Sequence, residues 1–251
     1  MLRIYLTGDV TLESSRGYLR QDRFPGAQGR LVFALLAAEH DRAVSRGEIE
    51  AELWPDGAPA SAETALRAIV SKVRRALADT DLDGQSLAHA FAAYRLHLPP
   101  DSWVDVRAAA DAIHRAEPAI RDGELQEAVG WGRAAATISS RPFLPSADGP
   151  WARAWRERLR DIRVRSLDVL ATAWLTTGDA AQAARDAEAA IAIEPYREPS
   201  YRLLIRALDA MGDRADALRA YERLRDRLAN DLGSDPSQET QELHLEILRA
   251  G

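Results

Sequence analysis

One short pattern recurs three times in this chain and limits what its second half can fold into. Gly123-Glu124, Gly178-Asp179 and Gly212-Asp213 are each followed, after three variable residues, by an alanine: Ala128, Ala183 and Ala217. A glycine at such a place ends one helix, the acidic residue caps the next, and the alanine lets two helices approach closely. From Pro99-Pro100 to its end the chain reads as helical, so that dipeptide is the expected boundary between residues 1–98 and a second domain, 99–251.

The last two copies stand 34 residues apart, the period of tetratricopeptide hairpins. The middle copy also carries Ala190 and Pro195 where that repeat places its small residue and closing proline. The first copy lies 55 residues before the second, and the outer copies lack the later landmarks. Tetratricopeptide-like hairpins are expected, not a regular array.

The first half has a different grammar. Leu2–Leu6 alternates, Gly8-Asp9 turns, Val10–Leu12 alternates again, and Ser14–Gly17 turns into a strand expected over Tyr18–Phe24, stopped by Pro25-Gly26. Gln28–His40 is nearly all apolar and predicts a buried helix. Ser45-Arg46-Gly47-Glu48 has capping-box spacing, and Trp54-Pro55-Asp56-Gly57 ends the helix it opens. Ser61 is the expected N-cap of the next helix, Glu63–Ala78. Its Leu66, Ile69, Val70, Val73 and Leu77 form one narrow apolar stripe. Thr64, Ala68, Ser71 and Arg75 lie opposite, flanked by Arg67, Arg74 and Lys72. After a polar linker, Asp79–Gly84, a hairpin is expected from Ser86–Phe91 and Tyr94–Leu98.

Charge sharpens this reading. The 251-residue chain carries net −6, and residues 1–98 hold 12 basic and 13 acidic side chains. Yet Ser61–Ala78 has Arg67, Lys72, Arg74 and Arg75 against Glu63 alone, a local +3. Small residues between arginines admit base edges, while the guanidinium groups reach phosphate or guanine.

Several function classes are excluded or disfavoured. There is no cysteine, which removes thiol catalysis, disulfides and Cys-ligated zinc. The five histidines are scattered, without metal-ligand spacing. Ser14-Ser15 and Ser139-Ser140 lie in polar turns without a nucleophile elbow. The only lysine, Lys72, lies in Ser71-Lys72-Val73, so no phosphate-binding Gly-Lys-Ser/Thr loop exists. No catalytic constellation, metal or cofactor is expected. No signal peptide is expected at Met1–Tyr5, where no long apolar stretch follows the single Arg, and no apolar run nears the roughly 20 residues needed to span a bilayer, so a cytoplasmic protein without membrane partners is expected. Tryptophans of the second domain are expected as packing anchors.

The order strands, helix, helix, basic helix, hairpin, followed by helical hairpins, resembles the Streptomyces antibiotic regulatory proteins: an OmpR-type winged helix-turn-helix fused to a bacterial transcriptional activator domain. The resemblance is carried by Val44-Ser45 through Leu53-Trp54, Pro59–Ala62 into Ala65-Leu66, Ser71–Leu77, Tyr94-Arg95-Leu96, Asp105-Val106, Ala217-Leu218 with Tyr221, Leu224 and Arg225, and Leu232-Gly233 through Ile247-Leu248. It implies an α+β first domain and an all-α second one. It also implies an activator that binds direct repeats in duplex DNA near a promoter and recruits RNA polymerase. Thr64, Arg67, Ala68, Ser71, Lys72, Arg74, Arg75 and Arg95 would contact DNA; the loop Trp54, Pro55, Asp56, Gly57 would touch polymerase. The second domain would pair protomers, giving a homodimer, or contact the transcription machinery. One departure stands out. The family wing has glycine before its tyrosine, whereas Phe91-Ala92-Ala93 precedes Tyr94 here, which predicts a longer, altered or weakly contacting wing. A rival reading is a tetratricopeptide-like interaction module whose winged helix has weak or no DNA binding; the net acidity favours it.

Overall fold

The computed structural model describes residues 1–82 and 85–249. The chain falls into two compact units: Met1–Ala110 with Ile138–Leu159, and Asp111–Thr137 with Arg160–Gly251. Compactness thus divides the chain elsewhere than at Pro99-Pro100.

In the first unit, β1 (Arg3–Tyr5), β2 (Thr11–Ser14) and β3 (Gly17–Leu19) form an antiparallel meander. The alternation works as expected, with Leu2, Ile4, Leu6 and Leu12 buried. The third strand is shorter than the expected Tyr18–Phe24. Gln21–Arg23 makes a 3-10 turn, and Phe24 leaves the sheet to set its ring 4.8 Å from that of Phe33. That ring belongs to α1 (Gly26–Ala38), buried along its second half. Next come β4 (Val44–Ser45), α2 (Arg46–Leu53), α3 (Ala62–Leu77), β5 (Leu87–Ala90) and β6 (Ala93–Leu96). The last two form a hairpin, and β6 also pairs with β4, giving the order β4-β6-β5. This is the winged helix-turn-helix arrangement. Of the expected linker, Asp83 and Gly84 lie outside the described residues. Asp81 accepts hydrogen bonds from the Ser15 amide and hydroxyl at 2.8 and 2.7 Å, tying the linker to the β2–β3 turn.

The expectation of helix from Pro99 onward needs correcting. Trp103–Val104 is β7, which pairs in parallel with β1 and completes a sheet of order β3-β2-β1-β7. Two residues pairing with a strand a hundred residues away leave no local period to read. Directly after β7, at the start of α4 (Asp105–Arg121), the Asp105 carboxylate is buried. It accepts from the amides of Leu6 and Thr7 at 2.9 Å, the Thr7 hydroxyl at 2.8 Å and the Val106 amide at 2.8 Å. Burial raises its pKa; those donors oppose the rise.

Ile138–Leu159 also belongs to this unit. The Gly8 amide donates to the Pro142 carbonyl at 2.7 Å. At the C-terminal end of α1, Glu39 accepts from the indoles of Trp151 and Trp155, each at 3.0 Å, and from Arg42 at 3.1 Å. Burial works against this carboxylate, but the indoles, Arg42 and Arg107 outweigh it and hold its pKa below the usual value. The buried Glu52 of α2 accepts from the amides of Trp151 and Ala152. It caps the free N–H groups where α6 (Pro150–Thr177) begins.

In the second unit the recurring turns are as expected. Gly123, Gly178 and Gly212 have φ of +79°, +85° and +81°, and Ala128, Ala183 and Ala217 are buried. Gly123 separates α4 from α5 (Leu125–Ser139), and Gly178 separates α6 from α7 (Ala180–Ile193). Gly212 lies between α8 (Glu198–Ala210) and α9 (Arg214–Leu232). Asp179 caps α7 through Gln182 N at 3.1 Å, whereas Asp213 makes no side-chain cap. Leu204, Ile205 and Tyr221 pack with Leu243 and Ile247 of α10 (Gln238–Arg249). His244 stacks on Tyr221 at 3.8 Å. Among the described residues, no helix is long and apolar enough to cross a membrane.

Two stability outcomes follow. Asp105→Ala strips the acceptor from three backbone amides and should cost about 3 kcal/mol or more, lowering the thermal midpoint by about 10 °C. A change within about 2 °C would show that the carboxylate is not a structural anchor. His244 behaves oppositely to a paired base. Burial lowers its pKa from the ordinary 6.5, with Glu222 opposing and Arg225 assisting, and its Nδ1 is buried without a partner. The unfolded chain therefore takes up the proton first. The His244 contribution is complete above about 6.5 and fades as pH falls through the folded value. His244→Gln should flatten the fall of the thermal midpoint between about pH 7 and pH 5; an unchanged slope would assign that fall to other groups.

Candidate nucleic-acid interface

The helix α3 owes its placement to its stripe. Leu66, Val70, Val73 and Leu77 are buried and Ile69 is half-buried, so the opposite side must face out. Thr64, Arg67, Ala68, Ser71, Lys72 and Arg75 are all exposed there. Ser61 holds the N-cap position but makes no side-chain cap; the Pro59 carbonyl instead accepts the Ala62 amide at 2.9 Å. In α2 the capping box is complete, Ser45 and Glu48 bonding reciprocally.

Two expected contact residues are held by the protein's own backbone. Arg74 is half-buried and donates from Nε and a terminal nitrogen to the Leu87 carbonyl, at 3.1 and 2.8 Å. Its position foretells this: it lies four residues after Val70 and three before Leu77, on the flank of the buried stripe. Arg95 donates to the carbonyls of His40 and Asp41 at 3.3 and 3.1 Å, beyond the end of α1. Both fasten the hairpin to helices.

Arg46 was not foreseen as part of this face. As the first residue of α2 it pairs with Glu63 of α3 at 2.9 Å, and Glu63 also holds Arg67. The signal was faint, a single arginine inside the capping box. Arg67, Arg74 and Arg46 all act electrostatically on Tyr94: burial raises the pKa of that phenol, and the three cations oppose the rise. Three guanidinium groups and the carboxylate of Glu63 thus meet where α2, α3 and the hairpin adjoin.

The wing is tight, which corrects the expectation of a longer one. Ala90 pairs with Ala93, so Phe91 and Ala92 alone make the turn, with φ of +51° and +58°. Such a turn normally wants Gly or Asn. It is over-determined from outside: Ser45 pairs with Ala93, and the Arg46 amide donates to the Ala92 carbonyl at 2.9 Å.

The loop from Trp54 to Ala60 is exposed apart from the half-buried Trp54. Gly57 has φ +127° and donates its amide to the Trp54 carbonyl at 3.0 Å. Pro55 and Asp56 edge an open cleft of about 450 Å³, which Arg30, Glu52, Asp148 and Arg153 also line.

Comparison with known proteins agrees with this arrangement. Residues 104–248 match the family described as bacterial transcriptional activator domain. The chain is 31% identical over 223 residues to the regulatory protein AfsR of Streptomyces coelicolor, covering 89% of this chain and 22% of AfsR. It is 29% identical to the transcriptional regulatory protein EmbR of Mycobacterium tuberculosis, over 88% of this chain and 57% of EmbR. It is also 29% identical to the regulatory protein DnrI of Streptomyces peucetius, over 88% and 84%. The chain thus spans about a fifth of AfsR and little more than half of EmbR. The solved structure of M. tuberculosis EmbR, in complex with a low-affinity phosphopeptide, superposes with a TM-score of 0.85 at 27% identity, covering 99% of this chain and 65% of that one. The resemblance to Streptomyces antibiotic regulatory proteins, and the fold expected from it, hold.

Arg74→Gln should free the hairpin. Amide hydrogen exchange over Leu87–Leu96 should quicken roughly fivefold, the loss of about 1 kcal/mol, while the buried stripe of α3 stays protected. Equal exchange in both proteins would mean that Arg74 does not fasten the wing.

Proposed function

The chain belongs to the bacterial transcriptional activator domain family, and we propose that it is a cytoplasmic, non-enzymatic regulator that holds duplex DNA with α3 and activates transcription. The observation that carries this is the exposed row Thr64, Arg67, Ala68, Ser71, Lys72 and Arg75 on a helix whose other side is fixed in a core. Small and hydroxyl side chains alternate with cations, so the helix axis can approach base edges while the arginines reach guanine or phosphate. Arg74 and Arg95, though near, serve this reading by carrying the wing. We keep residues 1–98 as the DNA-binding domain and 99–251 as the activator domain. The latter would pair protomers on direct repeats or contact the transcription machinery, and the exposed Asp56 loop would touch RNA polymerase. The rival, an interaction module that no longer binds DNA, draws on the net charge of −6 and on Glu63, which holds both Arg46 and Arg67.

The test uses the full chain and duplexes that it selects from a random pool, with affinity followed against salt. Arg75→Ala or Arg67→Ala should weaken the selected duplex by about 1–3 kcal/mol. Lys72→Ala should weaken all duplexes and lower the salt slope by about one unit. Asp56→Ala should leave affinity unchanged and reduce transcription from a reporter carrying the selected site; Gly57, at φ +127°, is left intact because a side chain would strain it. Selection of no duplex by the wild type would favour the rival.

A further inference from the structure

Opposite charges that line one cleft usually pair with each other; those of the cleft beside the Asp56 loop do not. This cleft, of about 450 Å³, is lined wholly by the first unit: the start of α1, the end of α2 with its loop, and the stretch that leads into α6. Arg30 of α1, Asp56 of the loop, Asp148 ahead of α6 and Arg153 in its first turn all border it. Among the described residues none of the four makes an ion pair or a side-chain hydrogen bond. Elsewhere in the unit arginines find acids readily: Arg42 holds Glu39 and Glu48, and Arg107 holds Asp41. Two cations and two anions are thus kept apart around one space. A fifth charged group, Glu52, is buried and already accepts the amides of Trp151 and Ala152. Leu31, Leu53 and Leu144 add apolar wall. Part of that wall is stiff. Leu144 is buried with φ of +39°, which a bulky L-residue rarely adopts. Arg156 fixes the turn by donating to the carbonyls of Phe143 at 3.2 Å, of Leu144 at 3.3 Å and of Ala147.

The volume lies within the roughly 300–1,000 Å³ of small-molecule sites. Separated charges of both signs, with apolar side chains among them, match a molecule that carries both signs on an apolar body. We propose that the cleft binds a small amphipathic zwitterion of the amino-acid or dipeptide class, its carboxylate taken by Arg30 and Arg153 and its ammonium group by Asp56 and Asp148. A guanidinium receives a carboxylate through a fork of N–H donors, which fixes orientation as well as adding attraction. A ligand with an anionic group alone would leave Asp56 and Asp148 facing like charge, and one with a cationic group alone would do the same to Arg30 and Arg153. The ligand joins the stiff wall at Leu144 to the exposed loop, so binding orders the loop. Its effect on transcription rests on the reading above, in which that loop touches RNA polymerase, and adds a signal to it: the loop is presented in one conformation when the cleft is filled.

The experiment titrates the full chain by calorimetry with L-leucine, L-phenylalanine and leucylphenylalanine, each also in N-acetylated and C-amidated form. At least one zwitterion should bind, and its two blocked forms should bind roughly tenfold more weakly or worse. Arg153→Gln and Asp148→Asn alter exposed side chains, so both should unfold at the wild-type midpoint. Each should weaken the zwitterion by a similar factor. With the cleft filled, amide hydrogen exchange at Asp56, Gly57 and Ala58 should slow, while the buried stripe of α3 keeps its protection. Binding of no zwitterion at about 10 mM overturns the proposal. So does equal binding of a blocked form, equal binding by both variants, or exchange in the loop that a saturating ligand leaves unchanged. The DNA-binding reading is judged separately, on the selected duplex. A chain that holds its duplex and binds no zwitterion loses the cleft alone. One that binds the zwitterion as described and selects no duplex keeps the ligand site and loses the role in transcription.

Discussion

The buried carboxylate of Asp105 is the interaction on which the first unit depends. Its hydrogen-bond donors are amides of two chain segments and one hydroxyl. A carboxyl group removed from water in this way is tolerated only when nearby donors replace its hydration. Here the donors are the amides that β1 releases at its end and the first free amide of α4, which also need acceptors. One side chain therefore joins the end of a strand to the start of a helix, at the point where β7 closes the sheet. The β-meander, and the α1 layer behind it, are thereby joined to a segment that follows the hairpin.

What could be read in advance was whatever is encoded within a few residues. The Ser45–Glu48 box, the Leu66–Leu77 stripe and the three glycine turns each put cause and effect within one or two helical turns, and the structure has them in place. What was missed depends on distant partners. The strand Trp103–Val104 pairs with β1 from a hundred residues away, and Phe24 leaves the sheet to meet the ring of Phe33. The stripe places Arg74 on its flank, but the Leu87 carbonyl that receives its guanidinium comes from the hairpin that follows. The Phe91-Ala92 turn defied local preference because Ser45 and Arg46, far back in the sequence, hold it.

The acidity of the chain and the cationic face of α3 are compatible because fields near a surface are local. At ordinary salt an exposed charge is screened beyond about 10 Å, so the phosphates of a docked duplex would meet Arg67, Lys72 and Arg75 rather than the average of the whole molecule. Glu63 moderates this face by holding Arg46 and Arg67 in place. Such a pair trades some attraction for geometry, since a guanidinium already oriented loses less freedom when it meets a ligand.

The discontinuity of the first unit bears on how such proteins can be inherited. Glu39 and Glu52, early in the chain, are matched by Trp151, Trp155 and the amides of residues 151 and 152, more than ninety positions later. A crossover near residue 98 that joined the front of one regulator to the back of another would bring together carboxylates and indoles with no shared history. Each mismatch would leave a buried or half-buried acid facing a cavity or a clash. Recombination between relatives is thereby penalised at the place where the two kinds of secondary structure meet, and lineages should pass on front and back together, diverging by substitution rather than by exchange.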